Sequence, residues 1–211
     1  MSAARDTILI GGGGHAHAVA GLLAALGRRV RGFVAPSGET VVDGLAWLGG
    51  DAVLDAITAG SADMALGVGS VGDASLRRGL FEGLIARGHD LPPLVHPSAH
   101  VADGVRLGRG VQVMLGACVQ TGVTLGDNAI VNTGAIVDHD CRIGAHAHVA
   151  PGAVLCGDVT VGDGAHVGAG ARVIQGLAIG AGALVGAGAV VVRAVPPGVA
   201  VMGVPAREAS R

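Results

Sequence analysis

The chain has no tyrosine and no lysine, and its only large aromatic residues are Phe33, Trp47 and Phe81, all before residue 90. A core built on aromatic rings is therefore excluded for everything that follows. Cysteine is scarce too: Cys118, Cys141 and Cys156 are odd in number and lack metal-ligand spacing, which suits a reducing compartment. Charged residues make up 14% of the chain, the net charge is -2, and no basic stripe is present, so nucleic acid is not an expected partner. The apolar run at residues 7–10 is too short for a signal-peptide core or a membrane span, and the expectation is a cytoplasmic chain without a membrane partner.

What is abundant is glycine, at 39 residues, together with small and aliphatic side chains that bring hydrophobic residues to 50%. Disorder requires low hydrophobicity, so the glycine content reflects a regular fold. From Val95 to Val191 an apolar residue recurs every six positions, seventeen times without a slip. Four residues after each stands a small or aliphatic one, from Ala99 to Val195. Glycine often follows the first apolar position, as at Gly108, Gly126, Gly144, Gly162 and Gly180, where unusual φ at corners is the expected reason. A period of six is neither helical nor a two-residue alternation. It fits a short strand plus a turn, three of which close a coil of eighteen residues, with coils stacked as parallel strands. Just under six coils are expected, with no long loop projecting from them. This pattern resembles the hexapeptide-repeat acyltransferases, and the resemblance implies an all-β left-handed parallel β-helix.

Residues 1–92 read differently. Residues 7–10 predict a strand, followed by four glycines and a helix from His15 to Leu26. Strands are expected at Val30–Val34 and Ala62–Val68, and a helix at Leu76–Ala86. Strands alternating with helices imply a small Rossmann-like parallel sheet, an α/β domain over 1–92 preceding the β-helix over 93–211. A glycine-rich turn between a strand and a helix presents backbone N–H groups to an anion. Only a fragment of the dinucleotide fingerprint is present, and Ala35 and Pro36 stand where an acidic residue would follow the second strand. That points away from NAD and towards the diphosphate of a nucleotide-linked sugar.

Five segments occur in one order: Gly11 to His15, Leu66 to Gly69, His96 to Ala99, Asp138 to Cys141, and Gly203 to Ala206. Their order is similar to that of the bacterial acetyltransferases acting on UDP-4-amino sugars or GDP-perosamine, and of the related sialic acid O-acetyltransferases. The resemblance implies acetyl-CoA as cosubstrate, a nucleotide-linked amino sugar as partner, a homotrimer and no metal. It places nucleotide-sugar binding at Gly13, Gly14, His15 and Gly69, the general base at His139 and its acidic partner at Asp140. It further implies cofactor contacts at His148, Gly157, Gly168, Ala169 and Ala187. His17 is a departure from the family pattern to which the sequence assigns no role.

The residues themselves support part of this. An imidazole is suited to take a proton from an attacking amine near neutral pH, and flanking carboxylates at Asp138 and Asp140 favour its charged form. Adjacent strand residues point to opposite faces, so pairing His139 with Asp140 requires a bend at a corner. Positions eighteen apart stack, which sets His139 against Gly157, with room for a thioester and an N–H for its carbonyl oxygen, and His148 against His166. O-acetylation of a sialic acid or another sugar remains the alternative chemistry. A zinc hydratase using His139 and His148 from adjacent subunits, and a scaffold without chemistry, are the remaining readings.

Overall fold

The computed structural model describes residues 5–38, 42 and 44–209. The chain divides into two compact units, one running up to Gly69 and resuming at Arg77–Pro92, the other taking Ser70–Leu76 and everything from Pro93 onward. The segment 70–76 thus belongs with the second unit, a split that a boundary at residue 92 does not capture. Among the described residues no helix is long and apolar enough to cross a membrane.

The first unit is a four-stranded parallel sheet. Its elements are β1 (Thr7–Ile10), α1 (Gly14–Ala25), β2 (Val30–Val34), β3 (Trp47–Gly49), β4 (Asp63–Leu66) and α2 (Ser75–Ala86), the last begun in the second unit. The strand order is β3-β2-β1-β4, so the chain reverses direction across the sheet beside β1. Ile8, Ile10, Val34, Met64, Leu66, Phe81 and Leu84 form a buried cluster, which explains why the central strands are continuous apolar runs. β4 is shorter than the expected Ala62–Val68, because Gly67 closes on α1. A Cβ there would lie 2.8 Å from the Ala16 Cα. β3 was not expected at all.

The second unit is a stack of two-residue strands in three parallel sheets. One runs from Arg106–Leu107 to Ala178–Ile179, one from His100–Val101 to Val190–Val191, and one starts at Leu94–Val95 and ends on an antiparallel strand, Arg207–Glu208. Partners lie eighteen residues apart, as in Thr124↔Arg142 and Ile136↔Val154. Both repeating phases face inward: Val113, Val119, Leu125 and Val131 are buried with Ala117, Val123, Ala129 and Ala135 in one core. Alternating large and small side chains let successive layers interlock without aromatic rings.

Each corner requires a left-handed residue, recurring every six positions from Gly104 to Gly188. Four corners place something other than glycine there: Asn128, Asp140, His146 and Asp158, with φ between 56° and 60°. The glycines after the apolar positions serve another purpose than the expected one. Gly108, Gly126, Gly144 and Gly162 do not adopt positive φ. A Cβ at each would come within 2.6 Å of a backbone nitrogen in the next coil. They are needed for close approach, not for conformation.

The repeat fails at its end. Leu184 pairs with Ala200 and Ile179 bridges Val195, so the last coil is sixteen residues long. Val195 therefore stacks on the apolar phase, not on the small phase as the sequence spacing suggests. At the corner before it stands Ala194, without the left-handed backbone found at the preceding corners, and the chain takes a shorter path.

Candidate active site

His139 and Asp140 lie in the turn after the strand Ile136–Val137. The His139 side chain projects outward and is 56% exposed. Asp140 occupies the left-handed corner position with φ 60°, and this bend brings two adjacent side chains together where a straight strand would part them. Its Oδ2 accepts a hydrogen bond from His139 Nδ1 at 2.9 Å. With the proton held on Nδ1, the lone pair sits on Nε2, which is the arrangement of a general base. The Asp138 Oδ1 accepts the His139 backbone N–H at 2.8 Å, fixing the turn from the other side.

Gly157 lies against this ring. A Cβ at Gly157 would collide with His139 Cε1 and Nε2 and approach Cδ2 to 3.1 Å. Thr121 and Gln175 hold the corresponding places in the neighbouring coils, so this is a local gap in the corner column. The coil ladder engages the flanking N–H groups, Cys156 N to Val173 O at 3.0 Å and Asp158 N to His139 O at 2.9 Å. It leaves the N–H of Gly157 itself outside the backbone ladder among the described residues. An N–H outside the ladder can donate to charge developing on a carbonyl oxygen.

The electrostatics agree with this geometry. The hydrogen bond to Asp140 raises the His139 pKa above the ordinary histidine value; desolvation opposes this, and the charges of Asp138, Asp140 and Asp158 reinforce it. A base works only when neutral, so the acid limb of kcat/KM should have its midpoint above about 6.5. Asp140→Asn removes the main cause, and the limb should then move to lower pH; a pH–rate profile of both proteins checks this. Asp140→Gly should additionally relieve the left-handed strain, about 1 kcal/mol, raising Tm while activity falls.

His148 and His166 stack as expected, one coil apart, with ring centroids 5.0 Å apart in an edge-on arrangement. His148 is only 6% exposed. Its Nδ1 donates to the Ser70 carbonyl at 2.9 Å, and its Nε2 accepts from Asn132 Nδ2 at 3.0 Å. Both nitrogens are thus engaged within the second unit. Sequence reasoning missed Asn132 and Ser70, since neither the eighteen-residue column nor any motif links them to His148. His146, another left-handed residue, has its Nδ1 3.0 Å from Asn128 Nδ2.

Gly168 is buried, and its missing side chain is explained by packing, since a Cβ would lie 2.6 Å from Ala187 N and Val185 O. Ala169 and Ala187 are exposed and stack at a different corner from His139. Asp127 and Asp163 serve the scaffold: their carboxylates accept the backbone N–H groups of Arg109 and Ala145, each at 2.8 Å. Among the described residues no group of three or more His, Cys, Asp or Glu side chains converges as a metal site.

In the first unit, Gly11, Gly13, Gly14, His15, Gly67 and Gly69 gather at the C-terminal edge of the sheet, where β1 meets β4 and the strand order reverses. Gly11 and Gly67 are required by packing, with Cβ contacts of 2.8 Å to Val68 and Ala16. Gly69 faces His15, whose Cβ would lie 3.4 Å from an added side chain. Gly13 and Gly14 are different. A Cβ on either meets nothing within 4 Å, and neither has positive φ. Among the described residues nothing requires glycine there, and the space in front of both is open to a ligand. Helix α1 begins with no side-chain cap and no acidic residue in its first turn, so no carboxylate there repels an anion, while the Ala16 N–H donates to Gly13 O at 2.8 Å. His17 is exposed and lines a cavity of about 540 Å³ along α1 with Gly21, Ala24, Arg28 and Val42.

A family model described as bacterial transferase hexapeptide (six repeats) matches residues 122–157 and 140–175, and one described as hexapeptide repeat of succinyl-transferase matches residues 158–193. No curated protein matches the chain by sequence. Among solved structures, PerB of Caulobacter crescentus, in complex with CoA and GDP-perosamine, is 42% identical over 99% of both chains, with a TM-score of 0.91. That enzyme, a GDP-perosamine N-acetyltransferase, has also been solved with one histidine replaced by asparagine or by alanine. The acetyltransferase domain of PglB from Neisseria gonorrhoeae, with acetyl coenzyme A, is 38% identical over 98% of this chain and 100% of that one, with a TM-score of 0.91. WeeI from Acinetobacter baumannii is 27% identical over 97% and 100%, with a TM-score of 0.85.

Proposed function

The chain belongs to the bacterial hexapeptide-repeat sugar acetyltransferases, built on a left-handed parallel β-helix, and from that premise we propose that it moves the acetyl group of acetyl-CoA to the amine of a nucleotide-linked amino sugar. The observation that carries the proposal is the His139–Asp140 pair with its open Nε2 set against Gly157. The sugar amine attacks the thioester carbonyl, forming the C–N bond, while His139 Nε2 takes the amine proton. The N–H of Gly157 donates to the oxyanion. Collapse breaks the C–S bond, and the imidazolium returns its proton to the departing thiolate of CoA.

His148, Gly168, Ala169 and Ala187 are proposed to line the path of the acyl carrier. His148 has both ring nitrogens engaged, so its contribution there is shape. Ala169 and Ala187 stand at one corner of the prism, His139 and Gly157 at the next, and the strands between carry Ile136, Val154, Arg172 and Val190 outward. Ile136 is 41% exposed. An outer face that is apolar apart from Arg172 supports a homotrimer in which adjacent copies complete the carrier groove. The three free cysteines suit a cytoplasmic setting, where acetyl-CoA and nucleotide sugars are made.

Gly13, Gly14, His15 and Gly69 are proposed to receive the nucleotide diphosphate. Gly13→Val should raise KM for the nucleotide sugar at least tenfold, leaving KM for acetyl-CoA and the fold unchanged, because the added side chain meets open space in the chain itself. The proposal as a whole is tested by thiol release from acetyl-CoA with a panel of GDP-, UDP- and dTDP-linked amino sugars beside free sialic acid. Thiol release with an amino sugar nucleotide supports it. Release with sialic acid alone replaces it with O-acetylation.

A further inference from the structure

We propose that Trp47 is the platform on which the base of the nucleotide stacks, and that it selects a purine over a pyrimidine. This deepens the nucleotide-sugar reading and rests on it. Trp47 is the sole tryptophan of the chain. It is 47% exposed, whereas Phe33 and Phe81 are 2% and 4% exposed. An exposed indole is ordinarily mobile, but this one is pinned. Its Nε1 donates to the Ala35 carbonyl at 3.1 Å, and Gly38 lies so near that a Cβ there would sit 3.0 Å from the indole Cδ2 and Cε3. A side chain at position 38 would displace the ring. The ring is thus preorganised, and little further entropy is lost when something stacks on it.

Its position is the second observation. Ala35 follows β2 directly, and the Ala35 N–H donates to Gly49 O at 3.2 Å. On the other side, the Gly11 N–H donates to Val34 O at 2.7 Å. The glycine-rich turn, Ala35 and the indole therefore lie along one edge of the same sheet, the C-terminal edge, where open parallel sheets bind ligands. With a diphosphate at Gly13 and Gly14, the nucleoside extends along this edge towards the end of β2. Guanosine and uridine diphosphates share the ribose and differ in the base, so discrimination between them falls to what touches the base. The two fused rings of a purine cover more of an indole than the single ring of a pyrimidine.

The experiment titrates the full-length chain with GDP and with UDP, following the emission of its single tryptophan and, in parallel, the heat of binding. Saturable quenching by GDP, with a Kd equal to the calorimetric one and tighter than that of UDP, is expected. Trp47→Leu should weaken GDP about tenfold and UDP less. Trp47→Phe, which keeps a ring face but loses the indole N–H, should fall between. GDP binding that leaves the emission unmoved, or a GDP to UDP preference identical in wild type and Trp47→Leu, overturns the proposal. Calorimetric silence towards GDP, UDP and every amino sugar nucleotide contradicts the nucleotide-sugar reading as well, which separates the two failures.

Discussion

His139→Ala is expected to lower kcat by about 10²–10⁴-fold, with Tm and circular dichroism unchanged. The side chain is more than half exposed on a corner, and its ring contributes nothing to the buried core of the prism. Loss of the imidazole leaves the amine without a base within reach. It leaves Asp140 without its ring partner, but the carboxylate is itself exposed, so no buried charge is stranded. KM for acetyl-CoA should change little, because the backbone of Gly157 is untouched. Activity at high pH should recover partially as solvent hydroxide substitutes for the base. An unchanged kcat would remove His139 from the mechanism.

Gly157→Ala is expected to be as damaging, by about 10²–10³-fold in kcat, for a different reason. Gly157 does not use positive φ, so its backbone accepts alanine. The cost arises at the neighbouring side chain: the new methyl group would occupy the place of His139 Cε1 and Nε2. The exposed ring can swing away, so the prism survives, but the base leaves its position and the oxyanion donor is screened. The expected signature is therefore lost turnover with preserved thermal stability. The same substitution at Gly144 should instead destabilise the protein, because there the obstructing atoms are backbone of the next coil.

These two positions illustrate what the sequence made legible. The six-residue period was enough to predict stacked parallel coils and to set His139 against Gly157, because the coil length converts spacing into vertical contact. It was not enough to place Asp140. Adjacency alone directs neighbouring side chains apart, and only the left-handed corner at Asp140 turns them together. A sign was present nonetheless: fifteen successive corner positions are left-handed, and Asp140 is one of four without glycine. Strand β3 was not legible, since three residues ending in glycine carry no period. The shortened last coil was concealed because Val195 is apolar in either register. The bonds of His148 to Ser70 and Asn132 depend on a diagonal neighbour and a distant segment, neither of which a repeat encodes.

Two cysteines flank the site, and they raise the question of an acyl-enzyme. Cys141 is fully buried, its Sγ donates to the Cys156 carbonyl at 3.2 Å, and burial pushes its pKa up to about 11. A thiol so held is a poor nucleophile at neutral pH. His139, with Nε2 free and Nδ1 committed to Asp140, is arranged to accept a proton from an attacking amine.

The most direct measurement is intact-protein mass spectrometry by rapid quench, with acetyl-CoA alone and then with acetyl-CoA plus a GDP-linked 4-amino sugar. Direct attack predicts a chain of unmodified mass at every time point, with acetylated sugar and free CoA appearing together only when the acceptor is present. Accumulation of an acetylated chain that discharges on addition of the sugar would contradict the account.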